Sequence, residues 1–138
     1  MRQPKVMVVD DDKNILAAFE EFLKAEHCEI VAASSAEEAA EMLKQQNVDV
    51  LVTDIRLKAK SGVTLFMEVK HRHRNLPVIV VSGYPDLISE AEIKTFGADY
   101  YFVKPLELDK LRDALRNCLS RERRLKSINP MLLVMPGI

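Results

Sequence analysis

The chain has 138 residues, of which 48% are hydrophobic and 30% charged, a composition typical of one globular domain with a sizeable buried core. Its formal net charge of −1 provides no overall attraction to nucleic acid or to an anionic membrane surface. No apolar run is long enough to cross a bilayer, and the first residues lack the pattern of a signal sequence. We therefore expect a cytoplasmic protein that does not bind a membrane and does not bind nucleic acid directly.

Short apolar segments rich in β-branched residues alternate along the chain with segments of helical period. Near-continuous apolar runs of this length are typical of strands buried on both faces of a parallel sheet. Apolar residues three and four positions apart predict the helices, and Ser35 with Glu38 forms a capping-box pattern before the second helix. In chain order the predicted elements are a strand over 5–9, a helix around 15–23, a strand over 29–33, a helix around 36–43, a strand over 48–53, a helix around 65–69, a strand over 77–81, a helix around 87–96, a strand over 99–103 and a helix over 107–124.

Repeated strand–helix units predict the fold class. They indicate an α/β fold with a doubly wound five-stranded parallel sheet, because right-handed crossovers place helices on both faces. We expect the flavodoxin-like strand order 2-1-3-4-5. Residues 1–124 form the predicted domain, and residues 125–138 form a C-terminal tail that begins charged and ends apolar with two prolines. The tail is either a disordered end, the start of a linker, or a segment that docks on a partner.

Polar residues occur where four of the predicted strands end. In a doubly wound sheet the carboxyl ends of the strands lie at one edge, and ligands bind there. We therefore expect a single cleft that contains Asp10, Asp11 and Asp12 after the first strand, Asp54 after the third, Ser82 after the fourth and Lys104 after the fifth.

The residue types in this cleft predict phosphoryl chemistry. Two carboxylates about 4 Å apart repel by roughly 4 kcal/mol at an effective dielectric constant of about 20. A hard cation such as Mg²⁺ relieves that repulsion and leaves positions for phosphate oxygens. Lys104 offers a mobile positive charge and Ser82 a hydroxyl donor. Asp54 is a candidate nucleophile, because a carboxylate can form an aspartyl phosphate, whereas Asp12 is expected to cap the first helix.

The motifs at these strand ends are similar to those of the receiver domains of bacterial two-component response regulators. The resemblance covers residues 4–120, and its specificity comes from several motifs in the right order at family-like spacing. The motifs are Val8-Val9-Asp10-Asp11, Asp54-Ile-Arg-Leu with Gly62 in the following loop, Val81-Ser82-Gly83 and Tyr101-Phe-Val-Lys104-Pro105.

The resemblance implies a role for each of these residues. Asp54 would receive the phosphoryl group from the phosphohistidine of a sensor histidine kinase, and Lys104 would pair with the transferred group. Ser82 and Tyr101 would form a switch pair, in which the hydroxyl moves toward the phosphate and the aromatic ring follows. The implied ligands of Mg²⁺ are Asp10, Asp11, Asp54 and the backbone carbonyl of Arg56.

The resemblance also implies an output surface. Phosphorylation would change the surface formed by helix 4, strand 5 and helix 5, which includes Leu87 and Ile88, and so control a downstream effector or output domain in a phosphorelay. The same surface is a candidate for a homodimer through helices 4 and 5, and the sequence leaves the oligomeric state open. Arg56 and the stretch 82–86 resemble receivers that precede transcriptional output domains, but no helix-turn-helix pattern follows residue 125. The chain is expected to be either a stand-alone receiver or the N-terminal piece of a longer regulator.

The sequence departs from the family after the acceptor. The family usually has a Met-Pro pair there, whereas this chain has Leu57-Lys58, which makes the loop more basic. Arg56 and Tyr84 are large side chains that we expect to crowd the phosphorylation site and to screen it from attacking water. We therefore expect them to influence the lifetime of the phosphate.

The same residues allow three alternative interpretations. Asp10-x-Asp12 resembles the nucleophile motif of haloacid-dehalogenase-type phosphatases, in which Asp10 would form the covalent intermediate. Ser82 and Lys104 would then be the second and third motifs, but Asp54 would have no role. A non-phosphorylated pseudo-receiver acting as an interaction module is opposed by the complete set of key residues. A flavodoxin-like cofactor carrier is opposed by the aspartates after the first strand, which would repel a flavin phosphate.

Cysteine and histidine residues give no further site. Cys28 and Cys118 lie far apart without the spacing of a zinc site, so we expect buried thiols in a reducing compartment. His71 and His73 lie two positions apart at the end of a predicted helix, where such residues do not face each other. They are expected to be solvated.

Overall fold

The computed structural model describes residues 2–55, 62–83 and 89–128. The strands are β1 (Lys5–Val9), β2 (Glu29–Ala33), β3 (Val50–Asp54), β4 (Val78–Ser82) and β5 (Tyr100–Val103). The helices are α1 (Lys13–Ala25), α2 (Ala36–Gln45), α3 (Gly62–Arg72), α4 (Glu90–Thr95) and α5 (Leu108–Ile128). All strand pairs are parallel and the sheet has the order β2-β1-β3-β4-β5, which confirms the predicted doubly wound fold.

Helices cover both faces of the sheet, because successive strand residues point to opposite sides. Two hydrophobic cores result, which we name the α1–α5 core and the α2–α4 core after the helices that close them. The α1–α5 core includes Val6, Val8, Phe19, Leu23, Val50, Val52, Ile79, Val81, Leu111 and Leu115. The α2–α4 core includes Met7, Val9, Ala39, Leu51, Leu65, Phe66, Val69, Val80 and Ile93.

Two aspartates stabilise the edge of the sheet where the strands begin, and each makes one side-chain and one backbone hydrogen bond to a neighbouring strand. The Asp49 carboxylate accepts the backbone N–H of Lys5 at 2.7 Å, and the Asp49 backbone N–H donates to the Lys5 carbonyl at 2.8 Å. Asp99 does the same with Val78, at 2.8 Å and 2.9 Å. In each pair a carboxylate replaces the backbone carbonyl that a longer strand would supply. For this reason β3 begins at Val50 and β5 at Tyr100, later than the sequence pattern predicts.

Helix ends follow the sequence signals. The Asp12 carboxylate accepts the backbone N–H of Asn14 at 2.8 Å and caps α1, as predicted. The Ser35 hydroxyl accepts the backbone N–H of Glu38 at 3.1 Å, which confirms the N-cap of α2. Ser89 caps α4 in the same manner, a signal that the sequence interpretation had missed. The last helix, α5, continues to Ile128, so the domain boundary predicted at residue 124 lies within a helix.

Two other expectations concern the buried and apolar parts of the chain. Cys28 and Cys118 are buried and are not joined in a disulfide, as predicted. Among the helices of the described residues, none is both long enough and apolar enough to span a membrane.

Replacing Asp49 with Ala is expected to lower the free energy of unfolding by about 1–3 kcal/mol, because the Lys5 N–H loses its acceptor. Asp49→Asn keeps one side-chain oxygen and should recover part of the loss. The matched control is Asp113→Ala on the exposed side of α5, which should change stability by less than about 0.5 kcal/mol. Urea unfolding measures all three variants, and equal effects at residues 49 and 113 would contradict this account of the sheet edge.

Candidate functional site

The carboxyl-terminal edge of the sheet carries the predicted site residues. Asp10 follows β1 directly, Asp54 is the last residue of β3, Ser82 is the last residue of β4, and Lys104 follows β5. Because the strands are parallel and β1, β3, β4 and β5 are consecutive in the sheet, these chain positions lie at one edge. The structure brings Asp10, Asp54 and Lys104 into direct contact.

The contact is an ammonium group bridging two carboxylates. Lys104 Nζ donates to Asp54 Oδ2 at 2.6 Å and to Asp10 Oδ2 at 2.9 Å. The aspartate side chains are only 8% and 3% exposed, respectively, and that of Lys104 is 23% exposed. Two buried carboxylates at such close quarters would repel strongly without a cation between them. The lysine is therefore the charge that allows both to be present.

The backbone fixes the Asp10 side of this bridge. Asp10 Oδ1 accepts the backbone N–H of Asp12 at 2.9 Å, and the Asp10 backbone N–H donates to the Ala33 carbonyl of β2 at 3.1 Å. Both carboxylate oxygens of Asp10 are thus engaged, one by the chain and one by Lys104. Asp11 lies between Asp10 and Asp12 in the chain and is partly exposed.

The predicted switch residues are not part of the bridge. Ser82 is fully buried, and its carbonyl accepts the backbone N–H of Lys104 at 2.8 Å, which fixes the start of the lysine segment. Tyr101 is partly buried and packs against the α2–α4 core, where Val80 is its partner in the β4–β5 register. Ser82 follows Val80 by two residues and therefore shares its face of the sheet.

Several predicted residues lie outside the described part of the chain. These are Arg56, whose carbonyl was the fourth predicted Mg²⁺ ligand, and Leu57, Lys58, Tyr84, Leu87 and Ile88, together with the tail from residue 129. His71 and His73 are described and are exposed, as predicted.

Burial and hydrogen bonding shift the titration of the bridge. Burial raises the pKa of Asp10, and the hydrogen bonds from the Asp12 N–H and Lys104 oppose that shift only in part. Burial by itself would lower the pKa of Lys104, but its hydrogen bonds to Asp54 and Asp10 outweigh burial and raise that pKa. The lysine therefore stays charged across the physiological range.

One polar residue at the end of a predicted strand had been given no role from the sequence. Thr53 is 1% exposed, and its hydroxyl donates to the backbone carbonyl of Asp54 at 3.1 Å. The available signal was a hydroxyl within an otherwise apolar strand, directly before the candidate nucleophile.

Comparison with known proteins gives the family. A model of the response regulator receiver domain matches residues 6–116, and the chain belongs to this family. It is a receiver domain of the two-component type, a phosphorylatable signalling switch. The phosphatase alternative, in which Asp10 is the nucleophile, gains no support.

Individual relatives agree with this assignment. The transcriptional regulatory protein AruR of Pseudomonas aeruginosa is 34% identical over 125 residues, which cover 87% of this chain and 51% of AruR. Sporulation initiation phosphotransferase F of Bacillus subtilis is 26% identical over 119 residues, which cover 86% of this chain and 96% of that protein. The response regulator TrrA of Thermotoga maritima, solved in complex with Mg(2+)-BeF, superposes with a TM-score of 0.78 at 27% identity, over 85% of this chain and 100% of that one. The chain thus spans about half of one curated relative and nearly all of another.

Lys104→Met is expected to lower the free energy of unfolding by about 3 kcal/mol in the absence of divalent metal, because two buried carboxylates lose their shared cation. The matched control is Lys94→Met, which removes an exposed ion pair with Glu90 on α4 and should cost about 0.3–0.5 kcal/mol. Adding Asp54→Asn to Lys104→Met should restore part of the stability, since one of the opposed charges is gone. Equal losses for the two lysine variants in urea unfolding would contradict the bridge.

The raised pKa of Asp10 predicts a pH dependence of stability. The folded chain binds a proton at Asp10 more tightly than the unfolded chain does. The contribution of Asp10 to the free energy of unfolding therefore falls as the pH rises from 3.8, the ordinary pKa of an aspartate, through the raised pKa. Asp10→Asn removes that titration. The stability of the wild type relative to Asp10→Asn should therefore decrease over this pH range, measured by urea unfolding at a series of pH values. A difference that stays constant with pH would show that the pKa of Asp10 is not raised.

Proposed function

We propose that this receiver accepts a phosphoryl group on Asp54 in a Mg²⁺-dependent reaction. The observation that carries the proposal is the position of Asp54, at the end of the central strand β3 and 2.6 Å from the ammonium group of Lys104. Asp10, which is buried, shares that ammonium group with Asp54, and Asp11, which is partly exposed, follows Asp10 in the chain. The family of the chain supports the same roles for these positions.

The charge of the site fits a divalent cation. Asp10, Asp11 and Asp54 outnumber Lys104, so the group carries a net negative charge that a hard cation with oxygen ligands would neutralise. Among the described residues, no three His, Cys, Asp or Glu side chains are arranged to hold a metal by themselves. Mg²⁺ usually keeps several waters and needs few protein ligands, so this arrangement is compatible with it. The proposed ligands are Asp10, Asp11 and Asp54, of which at least one would act through a bound water, together with the Arg56 carbonyl outside the described residues.

The chain's own groups supply positioning and charge. A carboxylate oxygen of Asp54 attacks the phosphorus of the donor, an oxygen–phosphorus bond forms, and the donor's bond to phosphorus breaks with its electron pair leaving on the donor. Bound Mg²⁺ would neutralise charge on the phosphoryl oxygens. Lys104 provides a second positive charge, and it already lies against the acceptor, so little movement is needed to reach a phosphoryl oxygen. In this way the domain would assist its own phosphorylation and dephosphorylation.

The partners belong to the same proposal. We infer that a sensor histidine kinase in the cytoplasm is the phosphodonor, and that an effector or an output domain reads the response. Ser82 and Tyr101, on one face of the sheet, would transmit the change to α4, β5 and α5. That surface has apolar side chains open to solvent, namely Phe96 at 42%, Val103 at 44% and Leu108 at 54% exposure. Exposed apolar side chains on these elements fit a protein partner or a homodimer through α4 and α5.

Incubation with acetyl phosphate and Mg²⁺ tests the acceptor. The wild type should gain one phosphoryl group that is released by hydroxylamine, as an acyl phosphate is, and chelation of the metal should abolish the gain. Asp54→Asn should not be phosphorylated, whereas the exposed variant Asp113→Asn should behave as the wild type. Mass spectrometry of the intact and digested chain measures the number and position of phosphoryl groups. An adduct on Asp10, or full phosphorylation of Asp54→Asn, would overturn the proposal.

A further inference from the structure

Thr53 is a polar side chain in the interior of the sheet that the phosphorylation scheme above does not use. It is 1% exposed and lies between Val9 of β1 and Val80 of β4 in the strand register. Alternation along β3 places it on the same face as Leu51, toward the α2–α4 core. A valine would have a similar shape without a hydroxyl to bury, so the hydroxyl needs a hydrogen bond to be tolerated there.

That hydrogen bond reaches the acceptor residue. The Thr53 hydroxyl donates to the backbone carbonyl of Asp54 at 3.1 Å. Pairing between β1 and β3 ends at Val9 and Thr53, so the Asp54 carbonyl lies beyond the last residue pair of that ladder. At this position the carbonyl accepts a hydrogen bond from the side chain of the preceding residue.

The other end of the same peptide group is also held. The N–H of Ile55, which belongs to the peptide unit after Asp54, donates to the Val81 carbonyl of β4 at 3.1 Å. The peptide unit is therefore fixed at its carbonyl by Thr53 and at its N–H by β4. A planar peptide held at both ends cannot rotate without breaking a hydrogen bond, so the backbone on the carboxyl side of Asp54 is fixed.

We propose that Thr53 is a positioning residue for Asp54: by fixing the peptide unit that follows the acceptor, its hydroxyl keeps the carboxylate aligned with Lys104 and with the incoming phosphorus. This inference rests on the proposed function of Asp54. Alignment of this kind affects rate strongly, since a misplacement of about 1 Å can reduce a reaction about a hundredfold. The register supports a link to the switch pair as well, because Val80 lies directly between Thr53 and Tyr101 on one face of the sheet.

The test compares Thr53→Val, which removes the hydroxyl, with Thr53→Ser, which keeps it. We expect Thr53→Val to slow phosphorylation of Asp54 by acetyl phosphate and Mg²⁺ about five- to tenfold, the effect of losing one hydrogen bond that aligns the acceptor. Thr53→Ser should stay within about twofold of the wild type. Amide hydrogen exchange of Ile55 should accelerate in Thr53→Val but not in Thr53→Ser, because only the former frees the peptide unit.

A matched control separates positioning from stability. Val50→Ala truncates a fully buried residue at the far end of the same strand and should lower stability without changing the rate, when measured where all variants are folded. Wild-type rates in Thr53→Val, or an equal loss of rate in Val50→Ala, would overturn the positioning role while leaving Asp54 as acceptor. Absence of phosphorylation at Asp54 in the wild type would overturn the proposed function. Amide exchange at Ile55 tests Thr53 independently of that result: an unchanged exchange rate in Thr53→Val would show that Thr53 does not fix the peptide unit.

Discussion

The arrangement of this molecule depends on one ammonium group shared by two buried carboxylates. Lys104 reaches Asp54 at 2.6 Å and Asp10 at 2.9 Å, and neither aspartate could remain charged and buried so close to the other without it. The strand order makes the meeting possible, because β1 and β3 are neighbours although β2 comes between them in the chain. The same bridge leaves the site acidic, since Asp11 adds a further negative charge. A site with this negative charge favours a divalent cation, and a bound cation can in turn hold the oxygens of a phosphoryl group.

The residues of the proposed switch lie on both faces of the sheet. The carboxylate of Asp54, the proposed acceptor, lies on the side of the α1–α5 core, because Asp54 alternates with Thr53 along β3. Thr53, Ser82 and Tyr101 belong to the other face, toward the α2–α4 core. Communication between the faces therefore has to pass through the backbone of the strand ends. The peptide unit after Asp54 links the two faces. Thr53, on the face of the α2–α4 core, holds this unit by a hydrogen bond, and Asp54, whose side chain lies on the other face, belongs to it.

Much of this structure could be predicted from the sequence, because its signals are local. Apolar β-branched runs predicted all five strands, and polar residues at their ends predicted the contact between Asp10, Asp54 and Lys104. Tertiary contacts were harder to foresee. The late starts of β3 and β5 depend on carboxylates that bond to a neighbouring strand, and no local pattern distinguishes Asp49 or Asp99 from a turn residue. Thr53 fits a buried strand as well as valine does, so the sequence alone gives its hydroxyl no role. The hydrogen bond from this hydroxyl to the Asp54 carbonyl is visible only in the structure.

The bridge also has a consequence for the order of folding. Lys104 lies 94 residues from Asp10 and 50 from Asp54 along the chain, so the bridge joins distant parts of the sequence. Contacts of such separation close late, after much of the loop entropy has been lost. A chain emerging from the ribosome has both aspartates well before it has β5. The two carboxylates can therefore share the lysine only after the last strand has joined the sheet.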